Sequence, residues 1–195
     1  MNFKYLMILV ASTMMVACAT SYKPDIDYNP EYDFSTVSTF AVIDPFKADQ
    51  TQSKPLNRQL SSLDNDRIIK AIAVALRNKG MAEVDAEVAD TLVRFQVATK
   101  DKTEIRTYNT GVYNCWRCRG IYSYPYPVQE VQVKDYTEGT LIIDMIDPKT
   151  QKSVWRSVVS QAVKKNVPVN EKQAKIQELV NAMLVNYKAS LIPTS

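Results

Sequence analysis

The stretch Tyr136 to Val163, YTEGTLIIDMIDPKTQKSVWRSVVSQAV, leaves the chain few ways to fold. Two runs rich in Ile, Val and Leu flank Asp147-Pro148-Lys149-Thr150, where proline presets a turn dihedral and its polar neighbours favour reversal, so the segment reads as a β-hairpin. With the turn centred between Lys149 and Lys152, Asp144 falls opposite Arg156, and carboxylate and guanidinium form a structural ion pair on a face shared with Ile142, Ile146, Val154 and Val158. A slip of one residue sends the two charges to opposite faces. The other face carries Leu141, Ile143, Met145, Trp155 and Val159. Because both faces are apolar, the expectation is a hairpin inside a sheet with cover on each side.

At 195 residues and 46% hydrophobic content the chain is long enough for one core and short for two. Its formal charge of +3 falls to about +2 once the segment carrying Lys4 is removed, which gives no electrostatic case for a nucleic-acid partner. The chain contains no histidine. That excludes histidine-activated serine or cysteine nucleophiles, histidine-ligated metals and imidazole pH switches, and neither a cofactor nor a metal is expected.

The amino terminus points to a location. Met1 to Lys4 is a short positively charged region and Tyr5 to Met15 an apolar run too short to span a bilayer, so residues 1–17 read as a secretory signal. Met15-Val16-Ala17-Cys18 resembles the lipobox of bacterial lipoproteins, with Met15 in place of the usual leucine. The resemblance implies that Cys18 is diacylated, the leader is cleaved and the new amino group is acylated. Three acyl chains exceed the two hydrophobic signals that stable anchoring needs, so the membrane is the first expected partner. Ala19 implies sorting to the outer membrane, facing the periplasm.

Residues 18–33 are polar, with Pro24 and Pro30, and read as a lipidated tether whose free part spans at most about 50 Å when fully extended. Their aspartates suit hard cations in principle, but without a glycine-containing cluster they read as solvated acids and turn formers. Further on, Ser35 to Asp44 reads as a first strand and Lys47 to Leu60 as a polar loop. A helix is predicted from Asn65 to Lys79, capped by Asp64, striped by Ile68, Ile69, Ile72, Ala73 and Leu76, and stopped by Gly80. Asp90 to Thr99 reads as a strand with Val93, Phe95 and Val97 on one side. Asn170 and Gln173 fit a capping box for a last helix striped by Ile176, Leu179, Val180, Met183, Leu184 and Tyr187, with Lys172, Lys175, Glu178 and Asn186 on its solvated face.

Asp25-x-Asp27-Tyr28, then Asp33-Phe34 and Thr39-Phe40-Ala41, followed much later by Gly139-Thr140-Leu141, Ile143-Asp144, Asp147, Lys149-Thr150 and Val154-Trp155-Arg156, form an ordered set of short motifs. In that order they resemble the domain-of-unknown-function 4136 family of bacterial envelope lipoproteins. The resemblance brackets most of the chain after the leader. It implies a fold and an envelope location, and no established activity.

Thr103 to Tyr113 and Val128 to Tyr136 alternate weakly and read as continuations of neighbouring strands. They make a long arm whose irregular tip, residues 114–127, contains NCWRCRGIYSYPYP. In an oxidising compartment Cys115 and Cys118 can close a small disulfide. The Cys-x-x-Cys spacing also suits thiol–disulfide exchange, but such motifs open a helix after a strand, and the prolines and tyrosines that follow cannot continue one. Tyr113, Trp116, Arg117, Tyr122, Tyr124 and Tyr126 have the composition of a partner-binding surface. Folding back as cover for the hairpin is the other reading of these rings.

The fold expected is α+β, an antiparallel sheet with two helices packed on one face and a long hairpin arm, residues 34–195 forming a single domain. The function expected is that of a non-catalytic lipoprotein binding an envelope protein or lipid and serving outer-membrane assembly or maintenance. A thiol–disulfide redox protein using the CWRC motif and a structural lipoprotein with no specific ligand are the alternatives.

Overall fold

The computed structural model describes residues 22–48, 60–112, 127–163 and 166–187. The elements in chain order are β1 (Asp25–Tyr28), a 3-10 turn (Phe34–Thr36), β2 (Thr39–Val42), α1 (Pro45–Ala48), α2 (Ser62–Asn78), β3 (Ala82–Glu83), β4 (Thr91–Val112), β5 (Pro127–Ile146), β6 (Ser153–Ala162) and α3 (Val169–Leu184). The strands form one open six-stranded sheet in the order β1-β6-β5-β4-β2-β3. With two helices packed on it, the fold is α+β. The sheet is mixed, because β2 pairs parallel with both β3 and β4 while the remaining pairings are antiparallel. A parallel neighbour needs a crossover connection, and α2 lies in the segment between β2 and β4.

The hairpin β5–β6 has the expected register, with Leu141 opposite Val159, Ile143 opposite Ser157 and Met145 opposite Trp155. These residues join Val93 and Phe95 of β4 in the core, covered by Ile68, Ile72 and Leu76 of α2 and Val180, Met183 and Leu184 of α3. Asp147 holds the turn, accepting bonds from Lys149 N (3.0 Å) and Thr150 Oγ1 (2.7 Å), which keep its carboxyl below the usual range. Gln151 takes the left-handed conformation at φ 57°. The two helices are tied to each other as well, Gln177 Nε2 donating to Ala71 O and Lys79 Nζ to Val185 O, both at 3.0 Å.

Several local expectations need correction. The cap of α2 is Ser61: its Oγ accepts from Asp64 N and donates to Asp64 Oδ2, so Asp64 is the third residue of the helix answering the cap. The helix does stop at Gly80, whose φ of 81° lies in the left-handed region that favours glycine. No side-chain cap opens α3, which begins after Pro168; Gln173 reaches across instead toward Arg67 O at 3.5 Å. The first strand is shorter than Ser35–Asp44, because Asp33 accepts from Ser35 N and turns Phe34–Thr36 into a 3-10 helix.

The tether is shorter too. Residues 25–28, expected to be free, form β1 and pair with β6, with Ile26 opposite Ser157 and Tyr28 opposite Trp155. Behind that edge strand Phe34, Tyr32, Tyr187 and Trp155 make a chain of edge-to-face rings, and burial pushes the Tyr187 phenol well above its ordinary pKa.

Cover on both faces of the hairpin is the largest miss. The helices lie on one face; on the other, Arg94 and Arg156 are exposed and Gln96, Ile142 and Val158 are only half-buried. A row of alternating charge makes this second face tolerable to water: Arg94 stands opposite Asp144, Asp144 opposite Arg156, and Arg156 opposite Asp27 across four strands. Arg156 grips Asp144 with Nε at 2.7 Å and Nη2 at 3.2 Å, while Ser153 Oγ adds a bond of 2.9 Å. The aliphatic stems of long charged side chains are able to cover neighbouring apolar surface while their heads stay in water. Val154, expected on this face, belongs to the core cluster, since a register irregularity after Met145 sets Ile146 opposite Ser153.

Two predictions follow from these contacts. Asp144 is completely buried whereas Arg156 is 49% exposed, so losing the arginine strands a buried carboxylate, while losing the carboxylate leaves a guanidinium that reaches water. Arg156→Met is therefore expected to cost about 2–4 kcal/mol and Asp144→Asn less than half of that in urea unfolding; the reverse order would refute the assignment. Asp90 accepts from Ser38 N, Ser38 Oγ and Thr39 N, and these bonds lower its pKa to about 2. Its folded pKa lies below the unfolded one, so its contribution is full above the ordinary aspartate range and fades as pH falls through about 2. Asp90→Asn should lower stability at neutral pH and flatten the loss between about pH 4 and 2.

Candidate interaction surface

β4 and β5 stay paired far beyond the body, from Leu92 opposite Ile146 out to Asn109 opposite Gln129 and, past an irregularity, Val112 opposite Pro127. The part outside the body, from Lys100 and Glu138 onward, extends for about 40 Å at roughly 3.3 Å per residue. Alternation gives this two-stranded ribbon two unlike faces. One begins at the base with Thr137 Oγ1 donating to Asp101 (2.8 Å) and Thr103 Oγ1 donating to Asp135 (2.6 Å). It then turns apolar, with Ile105 opposite Val133 and Thr107 opposite Val131. Ile105, Val133 and Val131 are 66%, 59% and 58% exposed, unusual for three β-branched side chains in one cluster.

The reverse face is charged. Lys102 Nζ donates to Glu138 at 2.7 Å, a bond that raises the lysine pKa, and Arg106 Nε donates to Glu104 at 2.7 Å. Tyr108, 44% exposed, follows on the same face.

Where the arm leaves the body, a cavity of about 500 Å³ opens between sheet and helices, a volume in the range of small-molecule sites. Ile68, Val97, Leu141, Val159, Ile176 and Leu179 are among its walls, and Lys172, Lys175 and Glu178 stand at it with Tyr22. Lys172 and Lys175 are accordingly half-buried, where solvated side chains had been expected. Burial, reinforced by Glu178 and opposed by Lys175, raises the Tyr22 phenol pKa.

Of the residues singled out by sequence, Asp144 and Arg156 meet on the open face of the sheet, within the body and on the opposite face from the arm's apolar cluster. Cys18, Tyr113, Cys115, Trp116, Arg117, Cys118, Tyr122, Tyr124 and Tyr126 lie outside the described residues. The cluster at Ile105, Val131 and Val133 went unnoticed as a surface, although valines spaced by two among charges were its signal. The cavity had no such signal, because its walls come from segments spread along the whole chain.

An open mixed sheet with two helices on one face and a projecting ribbon defines an α+β module. The chain belongs to the family described as a domain of unknown function, DUF4136, whose profile matches residues 24–187. No curated protein matches the sequence. Among solved structures it is similar to a PDZ domain protein from Parabacteroides distasonis, at 13% identity and a TM-score of 0.50 over 86% of this chain and 36% of that one. The chain thus spans only about a third of that protein, and the likeness is one of fold. It is also similar to the PelC dodecamer from Paraburkholderia phytofirmans, with 12% identity and a TM-score of 0.45 over 84% of this chain and 95% of the other. A neuraminyllactose-binding hemagglutinin homolog from Helicobacter pylori shows 12% identity and a TM-score of 0.35 over 80% and 88%. Among the described residues no helix is long and apolar enough to cross a membrane.

The cavity yields a prediction of its own. A long-chain apolar fluorophore is expected to enter it, and Ala162→Trp to weaken that uptake several-fold. Ala162 lines the cavity yet is solvent-exposed, so the unfolding midpoint should hold. Undiminished uptake by the variant would place the fluorophore elsewhere.

Proposed function

We propose that this protein is a lipoprotein anchored through Cys18 to the periplasmic side of the outer membrane, where it acts without catalysis as a binding module in envelope assembly or maintenance. The ribbon carries this reading. A two-stranded hairpin gains little stability from its own contacts, and one that presents Ile105, Val131 and Val133 to water is better suited to contact than to supporting the core. The lipobox-like Met15–Cys18, with Ala19 after it, supports the location.

The mechanism is confinement. A body held at a bilayer by acyl chains meets other envelope components at a raised effective concentration, so a contact of modest intrinsic affinity suffices. The partner expected on the arm is an envelope protein or lipid; the cavity at its base has apolar walls of the kind that accept an acyl chain.

Labelled palmitate is expected to enter the protein and to be lost in Cys18→Ser. Photocrosslinking in cells from positions 131 and 133 is expected to give discrete adducts that weaken when Ile105 is changed to Asp. An unlabelled, uncleaved chain would remove the anchor, and an empty crosslinking profile would remove the partner.

A further inference from the structure

The apolar face of the arm is one half of its surface; its backbone edge is the other. β2 runs beside β4 only from Thr91 to Val93, the last bond being Ile43 N to Val93 O at 2.8 Å. From Lys100 to Asn109, among the described residues, no strand lies on the outer side of β4, so alternate N–H and C=O groups of the arm face outward with no described strand beside them. Edges of this kind are blunted elsewhere by proline or by bulges. Between Arg94 and Asn109 this strand has no proline and no break in its register with β5.

We propose that this edge pairs antiparallel with the same edge of a second copy of the chain, about a two-fold axis at Ile105. The order of side chains argues for that partner and that register. Around Ile105 the strand is self-complementary when reversed: Glu104 falls opposite Arg106 of the other copy, Thr103 opposite Thr107, and Lys102 opposite Tyr108. Each cross-strand match is of a favourable kind, opposite charges, paired hydroxyls, and a cation beside an aromatic ring. Neighbouring centres fail. An axis at Glu104 sets that carboxylate against its own copy and Lys102 against Arg106, and an axis at Arg106 sets two guanidinium groups face to face.

Glu104 and Arg106 are already joined within one strand by their 2.7 Å ion pair and are exposed at its edge. Two such pairs in inverted order make a square of alternating sign. On the other face the pairing creates one apolar row, Val133 and Ile105 of the first copy continuing into Ile105 and Val133 of the second. A ribbon of two strands becomes a sheet of four, the size at which such structures hold without a body beneath them.

A disulfide assay reads this contact directly. Residues directly opposite in an antiparallel pair have Cα atoms about 4.5–5.5 Å apart, within disulfide reach, whereas Gln132 on the far strand of each ribbon is separated from its copy by about three strand spacings, roughly 14 Å. The chain with Cys115→Ser, Cys118→Ser and Ile105→Cys is expected to form a disulfide-linked dimer on oxidation in unfractionated cell lysate, and the Gln132→Cys chain is not.

Adding Glu104→Lys or Arg106→Glu sets like charges together twice across the axis, and either change alone should reduce the dimer about tenfold. When the two variants are co-expressed at different tagged lengths, both contacts become attractive across the mixed pair. The mixed dimer should then recover although each chain still carries its own like-charged pair, an outcome misfolding cannot produce. Full crosslinking by the single variants, no gain in the mixed pair, or faster crosslinking through Gln132→Cys would each overturn the proposal. The assay reads contact between copies alone, so its failure is distinct from failure of the anchor or of another partner for the arm.

Discussion

The bidentate grip of Arg156 on Asp144 decides which residues of the sheet face the helices. Asp144 is completely buried and its oxygens are held by a guanidinium on the adjacent strand, so displacing that strand by one position strands a charge. The same register places Trp155 beside Met145 and Val159 beside Leu141 in the core. On the far side of β5, Arg94 stands opposite Asp144 and extends the alternation to β4. One interaction therefore ties three strands to a common frame, and the helices pack on the face that this frame makes apolar.

The arm inherits its geometry from that frame. β4 and β5 leave the body already in register, and outside it the hydroxyl–carboxylate pairs Thr137–Asp101 and Thr103–Asp135 continue the alignment without any core. What lies beyond them is set by alternation alone: β-branched side chains on one face and charges on the other. Such an element extends the reach of a compact body. Its apolar face, with Ile105, Val131 and Val133 exposed, is the observation on which the proposed contact role rests.

Much of this architecture was legible in the sequence, and the parts that were not have physical reasons. The hairpin and the two helical stripes were clear because each repeats its apolar period several times. The arm was visible as weak alternation continuing from both neighbouring strands. β1 was not, since Asp25–Tyr28 is mostly polar and offers a single inward aliphatic residue, Ile26; an edge strand borrows its order from β6. The parallel pairing of β2 was equally hidden, for a strand of four residues carries no signal of direction. Apolar residues on both faces suggested two covering layers, yet one face carries a row of alternating charge with a single ion pair, Arg156–Asp144, in it. The candidate surface was half visible: attention went to the tyrosines of the tip, while the exposed valines and isoleucine lay in the strands leading to it.

Cross-strand nuclear Overhauser effects along the arm test the account most directly. A single continuous ladder is predicted, from Arg94 opposite Asp144 through Ile105 opposite Val133 to Asn109 opposite Gln129. A ladder that ended where Glu138 leaves the body, or that slipped by one residue along the ribbon, would contradict the amphipathic arm and the functional reading built on it.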